Sequence, residues 1–394
     1  MIGQSNFKSS NKSRKILVKS NTERISHRNS SSYHSSSFKP VVLFKFMIWV
    51  GLLAESDQNS LYRISSLAFK VLLISINLSL WISSLTAFSG DWKTLSAYLT
   101  SFLLTTGVYF AIYCRRQALM VVLKKLSKIS KSSDEKTVNF ITILILCLPA
   151  IYSILQAIVF DDNPWFSRFE TYGYDIENHT LKILYISTKF FLYALVHPAF
   201  TCLVTLLQCV LCQRFCALIN DLTQKVMQVS SEDFDSSKQT DILRLKAKID
   251  EIFENLQYVF SVPSFLVTAI NFLTCGAMIG WLLYVDDLSI LPPFAIVEIA
   301  FYIVIDFSSL IALLWVTGNV PVELKKLKCE FYKKIRSRIL YFSHGGETQL
   351  RKELFGHSNF TFSGCDIISF KRSTILALSG TLVTYTFLVI TVKK

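Results

Sequence analysis

Seven long apolar blocks, separated by charged connectors, constrain this chain more than any other feature of its sequence. A helix rising 1.5 Å per residue needs about 20 mostly apolar residues to cross the hydrocarbon core of a bilayer. The blocks run over 67–88, 95–113, 138–160, 183–210, 259–285, 293–317 and 374–392. An earlier apolar stretch, 41–53, is too short to cross and carries Lys45. It is expected to lie in the interface, or to re-enter, within a segment 38–60 before the first span. Composition agrees: 51% of the residues are hydrophobic, 31 are Phe, and only 18% are charged, against about 25% in an ordinary soluble domain. Mean hydropathy is +0.41. The expected fold is an all-α membrane protein of seven transmembrane helices.

The basic excess tells one side of the membrane from the other, because Lys and Arg accumulate in cytosolic connectors. The formal net charge is +13, and most of the basic clusters sit in three places. Nine Lys/Arg precede or include Lys45, seven follow the second block (Arg115 to Lys136), and eleven lie in 319–373. The connector 161–182 instead carries five acids against two bases. This places the N-terminus in the cytosol and, after seven spans, the C-terminus outside. The charge is thereby assigned to topology, with no nucleic-acid partner. Residues 1–37 hold 12 Ser and no apolar periodicity, so they read as a disordered cytosolic N-terminus rather than a signal peptide. Asn178-His179-Thr180 is a glycosylation sequon on the outer side, although the sequons at Asn11 and Asn359 fall inside. Seven spans with an internal N-terminus are inverted relative to a G-protein-coupled receptor.

Catalysis finds no support. A seven-span zinc hydrolase needs several histidines within the membrane, and only His197 lies inside a block. No phosphate loop, nucleophile elbow or carboxylate pair occurs in the aqueous parts, and no cofactor or metal is implied. The nine cysteines avoid the outer connectors, so no structural disulfide is expected. Cys209, Cys212 and Cys216 cluster near the inner end of the fourth block, where palmitoylation or metal binding competes with plain packing between helices.

Ionisable residues within a bilayer are costly and mark function by default. The fourth block holds Lys189 and His197; the sixth holds Glu298 and Asp306. In the outer half, Lys189 and Glu298 lie at depths similar to Tyr152, Gln156, Tyr185, Tyr193, Trp281, Tyr284 and Tyr302. These nine side chains are candidates for a polar, aromatic ligand pocket. The competing reading pairs Lys189 with Glu298 as a helix clamp and leaves the aromatics to an interfacial belt. His197 precedes Pro198, so a kink accounts for it without function.

The last block carries another signal. Thr381, Thr384, Leu388 and Thr391 repeat at spacings of 3, 4 and 3, on one helical face. Hydroxyls interrupted by one bulky apolar side chain suit a pore wall with a dewetting gate. A small-residue packing face suits the same pattern. In the cytosolic stretches 211–258 and 318–373, Ile242, Leu245, Ile249, Ile252 and Leu256 form one apolar stripe, and Leu324, Leu327, Phe331 and Ile335 another. Both need an apolar partner, either within the chain or on a neighbouring subunit.

The C-terminus resembles that of the arthropod gustatory and odorant receptor superfamily, in its gustatory branch. Members end in Thr-Tyr, five apolar residues and Gln-Phe; here Thr384-Tyr385 is followed by five residues and then Thr391-Val392. The segment Phe360-Thr361-Phe362-Ser363-Gly364-Cys365-Asp366-Ile367-Ile368-Ser369-Phe370-Lys371 is similar to the one those receptors carry before their last span. The resemblance implies a tetrameric, ligand-gated, non-selective cation channel in the plasma membrane of a sensory neuron. Each subunit would take a small-molecule tastant in the outer half of its bundle. The last span, from four copies of this chain or from related receptors, would line the pore. It further implies that Leu388 occupies the gate position and Thr391 the pathway position. A metabotropic seven-span receptor and a small-solute transporter are the alternatives, the latter without an internal repeat to support it.

Overall fold

In hydrocarbon a backbone must satisfy its own hydrogen bonds, so apolar blocks of this length become helices. The computed structural model describes residues 41–53, 60–87, 92–129, 135–159, 170–284, 293–342 and 361–393. In chain order these form α1 (Val41–Trp49), α2 (Ser60–Ala87), α3 (Trp92–Cys114), α4 (Arg116–Ile129), α5 (Glu135–Ile158), α6 (His179–Ala194), α7 (Thr201–Gln228), α8 (Ser236–Tyr284), α9 (Pro293–Thr317) and α10 (Asn319–Phe342). A two-stranded hairpin, β1 (Ser363–Gly364) and β2 (Ile368–Ser369), then leads into α11 (Arg372–Lys393). Six of the seven apolar blocks fall each on one helix, and the fourth spans α6, a break at Leu195–Phe200 and the start of α7. Among the described residues, five helices are long and apolar enough to cross a membrane by length and composition, and Leu99–Cys114 is a shorter apolar one. The Ser-rich segment 1–37 lies outside the described residues, as do parts of 38–60 and of 318–373.

Two boundaries differ from the sequence expectation. The fourth block does not end near residue 210: α7 continues to Gln228, because no Pro or Gly interrupts 210–228. It stops where Ser230 and Asp233 bond each other's side chain and backbone, Ser230 Oγ to Asp233 Oδ2 at 2.9 Å. Asp235 then caps the next helix by accepting from the Lys238 N–H at 2.8 Å. That helix, α8, runs unbroken for 49 residues through the fifth block. Both helices thus run continuously from their apolar blocks into the polar stretch between them.

Polar bonds between helices stand in for water. Asn77 Nδ2 donates to Thr106 Oγ1 (2.9 Å), joining α2 to α3, and Ser264 Oγ donates to Gln208 Oε1 (2.8 Å), joining α8 to α7. Beyond the apolar blocks, the stripe on α10 meets α7 of the same chain. Leu327, Phe331 and Ile335 are fully buried, and Phe331 lies edge-on to Phe234 at 5.5 Å. On α8, Ile242, Ile249, Ile252 and Leu256 are buried, whereas Leu245 stays exposed and does not belong to the stripe. The short α1 is tied into the bundle by Tyr109, whose hydroxyl donates to the Val50 carbonyl (2.9 Å). Gly51 follows at φ +81, and a Cβ there would overlap the Ser66 side chain. Only Gly fits both the backbone and the space.

The hairpin is clamped to α8. Gln257 Nε2 donates to the Ser363 carbonyl (2.6 Å), and the Cys365 N–H donates to Ser261 Oγ (2.9 Å). Gly364 packs on the Phe265 backbone, so a Cβ would come within 3.2 Å of Phe265 N. Cys365 and Asp366, both at positive φ, turn the chain, while Phe362 and Phe370 are fully buried on either side. The entry to α11 therefore moves with α8.

Candidate functional site

The polar residues inside the bundle form three linked groups. Outermost is Lys189 on α6, 7% exposed as a side chain, with Nζ 3.0 Å from Glu170 Oε2. That contact is electrostatic rather than an aligned hydrogen bond; the aligned bonds run to the Glu170 carbonyl (2.7 Å) and to Ser83 Oγ (3.2 Å). The Tyr172 ring lies 4.3 Å from the ammonium and the Tyr193 ring 5.5 Å. Ser79 on α2 closes the group by hydrogen-bonding both Tyr172 and Tyr193 hydroxyls, the latter at 2.9 Å. The clamp pairing Lys189 with Glu298 is therefore corrected: the partner is Glu170, from the connector before α6. That connector folds down over the helix end through a turn at Tyr172 (φ 56) and Gly173 (φ 85).

The second group joins α5 to α9. Tyr152 stacks on Phe301 (4.3 Å between centroids) and meets Tyr302 edge-on at 6.1 Å. Gln156 Nε2 donates to the Phe294 carbonyl (3.1 Å), which holds the first turn of α9 against α5. Glu298 is buried one turn before Tyr302 and has no ion-pair partner among the described residues. Trp281 is half-buried and packs with Met278, Ile299 and Tyr302. Of the remaining candidates, Tyr185 is 39% exposed on α6 and reaches the first group through a side-chain hydrogen bond with Tyr172. Tyr284 ends α8, and its side chain lies outside the described residues.

The third group is deepest and centres on a break between α6 and α7. His197 has extended backbone (φ −143, ψ 122), as the residue before a proline prefers, and the His197–Pro198 peptide is cis. Non-helical backbone at this depth is tolerated where protein buries it, and His197 is fully buried. Its Nε2 lies 3.2 Å from Thr274 Oγ1 and 3.6 Å from Asp306 Oδ2, and its ring stacks on Tyr302 at 5.6 Å. Thr274 in turn donates to Ser101 Oγ (3.1 Å). Tyr302 is thus shared by the second and third groups, and Phe102 links His197 (5.3 Å) to Tyr193 (5.9 Å) in the first. The outcome is a polar and aromatic column down the inside of the bundle.

The last helix is arranged differently. Leu382 is its best buried residue, with Ile375, Leu378 and Thr386 half-buried against the bundle. Gly280 of α8 leaves room for the Tyr385 hydroxyl, to which a Cβ would approach within 3.3 Å. Thr381, Thr384 and Thr391 are exposed, each donating its hydroxyl to the carbonyl four residues back at 2.8–2.9 Å, and Leu388 is 59% exposed. At 100° per residue, Thr384 and Thr391 lie nearly opposite Leu382. The hydroxyl row is turned away from its own bundle.

No family model matches the chain, and no curated protein matches it. Among solved structures, the insect olfactory receptor OR5 from Machilis hrabei superposes with a TM-score of 0.65 at 14% sequence identity, over 90% of this chain and 99% of that one. The chain has the fold of an insect olfactory receptor. At this identity the likeness is one of fold, and it extends over nearly the whole of both chains. That fold agrees with the one the C-terminal resemblance implies, and the solved structure is that of an olfactory receptor.

Several partners in the column carry no mark in the sequence. Glu170 is one of five acids in its connector, and Ser79, Ser83, Ser101 and Thr274 are ordinary residues of apolar helices. Gly173 was the available signal, since a glycine supplies the positive φ that a chain reversal needs. Cys209 and Cys212 are buried, with Cys209 Sγ 3.7 Å from the Ala312 carbonyl, so two of the clustered cysteines pack between helices.

Proposed function

We propose that the protein is a chemoreceptor subunit forming a ligand-gated, non-selective cation channel. Four copies, or this chain with related receptors, would surround a pore lined by Thr381, Thr384, Leu388 and Thr391 of α11. The observation that carries this reading is the hydroxyl row on α11, exposed on the side facing away from its own bundle. A lone subunit has no use for such a face, whereas symmetric copies around an axis would bury it on water and ions. The Thr384-Tyr385 motif supports a gustatory member opened by a small tastant. The outer groups around Lys189, Tyr193, Tyr152, Glu298 and Tyr302 supply the pocket. Ligand favours the state in which the Leu388 side chains part. The membrane is the plasma membrane, with seven spans.

The native mass of the protein in lipid nanodiscs tests the assembly. Four times the 44.9 kDa of one chain is expected; a monomer that persists in lipid leaves no shared pore and defeats the channel.

Topology has a test of its own. Asn178 caps α6, its Oδ1 accepting from the Thr180 N–H (3.0 Å) and the Leu181 N–H (3.2 Å). Replacing Asn178 would remove the cap as well as the sequon, at a cost of about 1 kcal/mol. Thr180→Ala removes the sequon alone. With the N-terminus inside, N-glycosidase is expected to lower the apparent mass of the wild type and leave Thr180→Ala unchanged. Glycan at Asn11 or Asn359 instead would invert the orientation.

A further inference from the structure

The N-terminal half of α10, the start of α11 and Lys246 of α8 line a half-open cavity of about 900 Å³ that the channel reading does not use. Five basic side chains line it, Lys246, Lys325, Lys328, Lys371 and Arg372, together with Tyr332, and among the described residues no acidic side chain does. Two of the five are fixed. Lys246, 6% exposed, bonds Asp250 Oδ2 at 2.6 Å behind the wall. Arg372 donates from Nε to Asn319 Oδ1 (3.1 Å) and from Nη2 to the same oxygen, with its guanidinium 4.6 Å from the Trp315 ring. Lys328 lies 5.9 Å from the Tyr332 ring. Lys325 and Lys371 are exposed and have no ion-pair partner among the described residues. Positive charges gathered around one cavity repel each other, and an anion relieves that repulsion while gaining several charge-assisted bonds. The α11 N-terminus, with Ser373, opens onto the same space and adds its dipole.

The surroundings indicate which kind of anion. The cavity lies where α9 ends at Thr317 and α11 begins at Arg372, so it sits at headgroup level beside two apolar helices. Trp315 (51% exposed) and Val322 (47% exposed) flank it, leaving an apolar margin where acyl chains can run. Basic pockets between membrane helices on the cytosolic side suit lipids with phosphorylated headgroups. We propose that this pocket binds the multiply phosphorylated headgroup of a phosphoinositide. Assignment to the inner leaflet rests on the topology proposed above; the binding itself does not. The site also touches the pore helix. Gly318, between α9 and α10, lies so close to the start of α11 that a Cβ would come 3.0 Å from Arg372 N. A headgroup bridging Lys325 and Lys328 of α10 to Lys371 and Arg372 therefore fixes where α11 begins.

The test uses the purified full chain in nanodiscs of zwitterionic lipid. Binding of short-chain phosphatidylinositol bisphosphate is compared with short-chain phosphatidylserine and with free inositol trisphosphate. Each lysine removed near an anionic surface weakens binding about fivefold, so Lys325→Gln/Lys328→Gln/Lys371→Gln is expected to lose at least about tenfold. The control Lys238→Gln/Lys248→Gln/Lys333→Gln, three exposed lysines outside the cavity, is expected to stay within about twofold. Equal losses in both triple variants, or bisphosphate binding no tighter than phosphatidylserine, overturn the pocket. Free trisphosphate binding as tightly as the lipid supports the pocket and overturns the lipid source. Should the triple variant not fold, Lys325→Gln alone, at an exposed position, is expected to lose about fivefold, and no loss there overturns the proposal. None of these readouts depends on current, so failure here and failure of the channel reading are distinct.

Discussion

Leu388→Ala is expected to give cation current in the absence of ligand. The side chain is 59% exposed on a single subunit, between hydroxyls that themselves tolerate water. A closed pore of this composition depends on one apolar ring to exclude water, and Leu388 is the bulky member of the row. Truncation to Ala removes about three methylene equivalents, or about 2 kcal/mol of apolar contact per subunit in the closed state. A tenfold change in an equilibrium needs only about 1.4 kcal/mol. Basal current is therefore expected to rise at least about tenfold, even if one subunit's share alone is felt. Val383→Ala, an exposed position of α11 on a different face, serves as the control and is expected to leave basal current unchanged. Whole-cell recording at matched surface level reads both. Unchanged basal current in Leu388→Ala moves the gate elsewhere on α11. Equal leak in Val383→Ala shows that α11 is merely loosened.

What the sequence made legible is what depends on local periodicity. Hydropathy placed the seven apolar blocks on helical segments, because an apolar run of about 20 residues has few other options in lipid. The 3-4-3 spacing of Thr381, Thr384, Leu388 and Thr391 placed them on one face, and the structure leaves that face exposed. The His197–Pro198 break was legible too, since a proline there restricts the residue before it. Pairings between distant residues were not. Lys189 and Glu298 sit at matching depth with opposite charge, yet depth alone does not fix which way a helix is turned. The rotation of α6 aims Lys189 at Ser83 of α2 and Glu170 of the connector. The His197–Asp306 contact likewise depends on α6, α8 and α9 converging, with Thr274 between them. The cavity lined by Lys325, Lys328, Lys371 and Arg372 was hidden in a count of eleven bases, because charge counting reports the side of a membrane and not the concavity of a surface.

The Lys189–Glu170 pair supplies the second large effect, and its two readings predict different outcomes. Both side chains are at most 7% exposed. Breaking such a pair leaves one charge buried without compensation, typically costing about 3–5 kcal/mol. Lys189→Met is thus expected to abolish most folded, surface-delivered protein, since that cost is a large part of the stability of most folds. Glu170→Gln strands the ammonium, but the Glu170 carbonyl, Ser83 Oγ and two tyrosine rings still hold it. The loss there is expected to be smaller. The double variant Lys189→Met/Glu170→Gln removes both charges together, and neutral replacement of a buried pair is often close to neutral in stability. Fluorescence-detected size exclusion after heating reads all three proteins against the wild type. Rescue by the double variant assigns the pair to architecture if ligand response also returns. If folding returns while the response does not, Lys189 contributes to the ligand pocket directly. A double variant as unstable as Lys189→Met defeats the pairing itself, leaving the packing of the Lys189 stem against Tyr172 and Tyr193 as the interaction that matters.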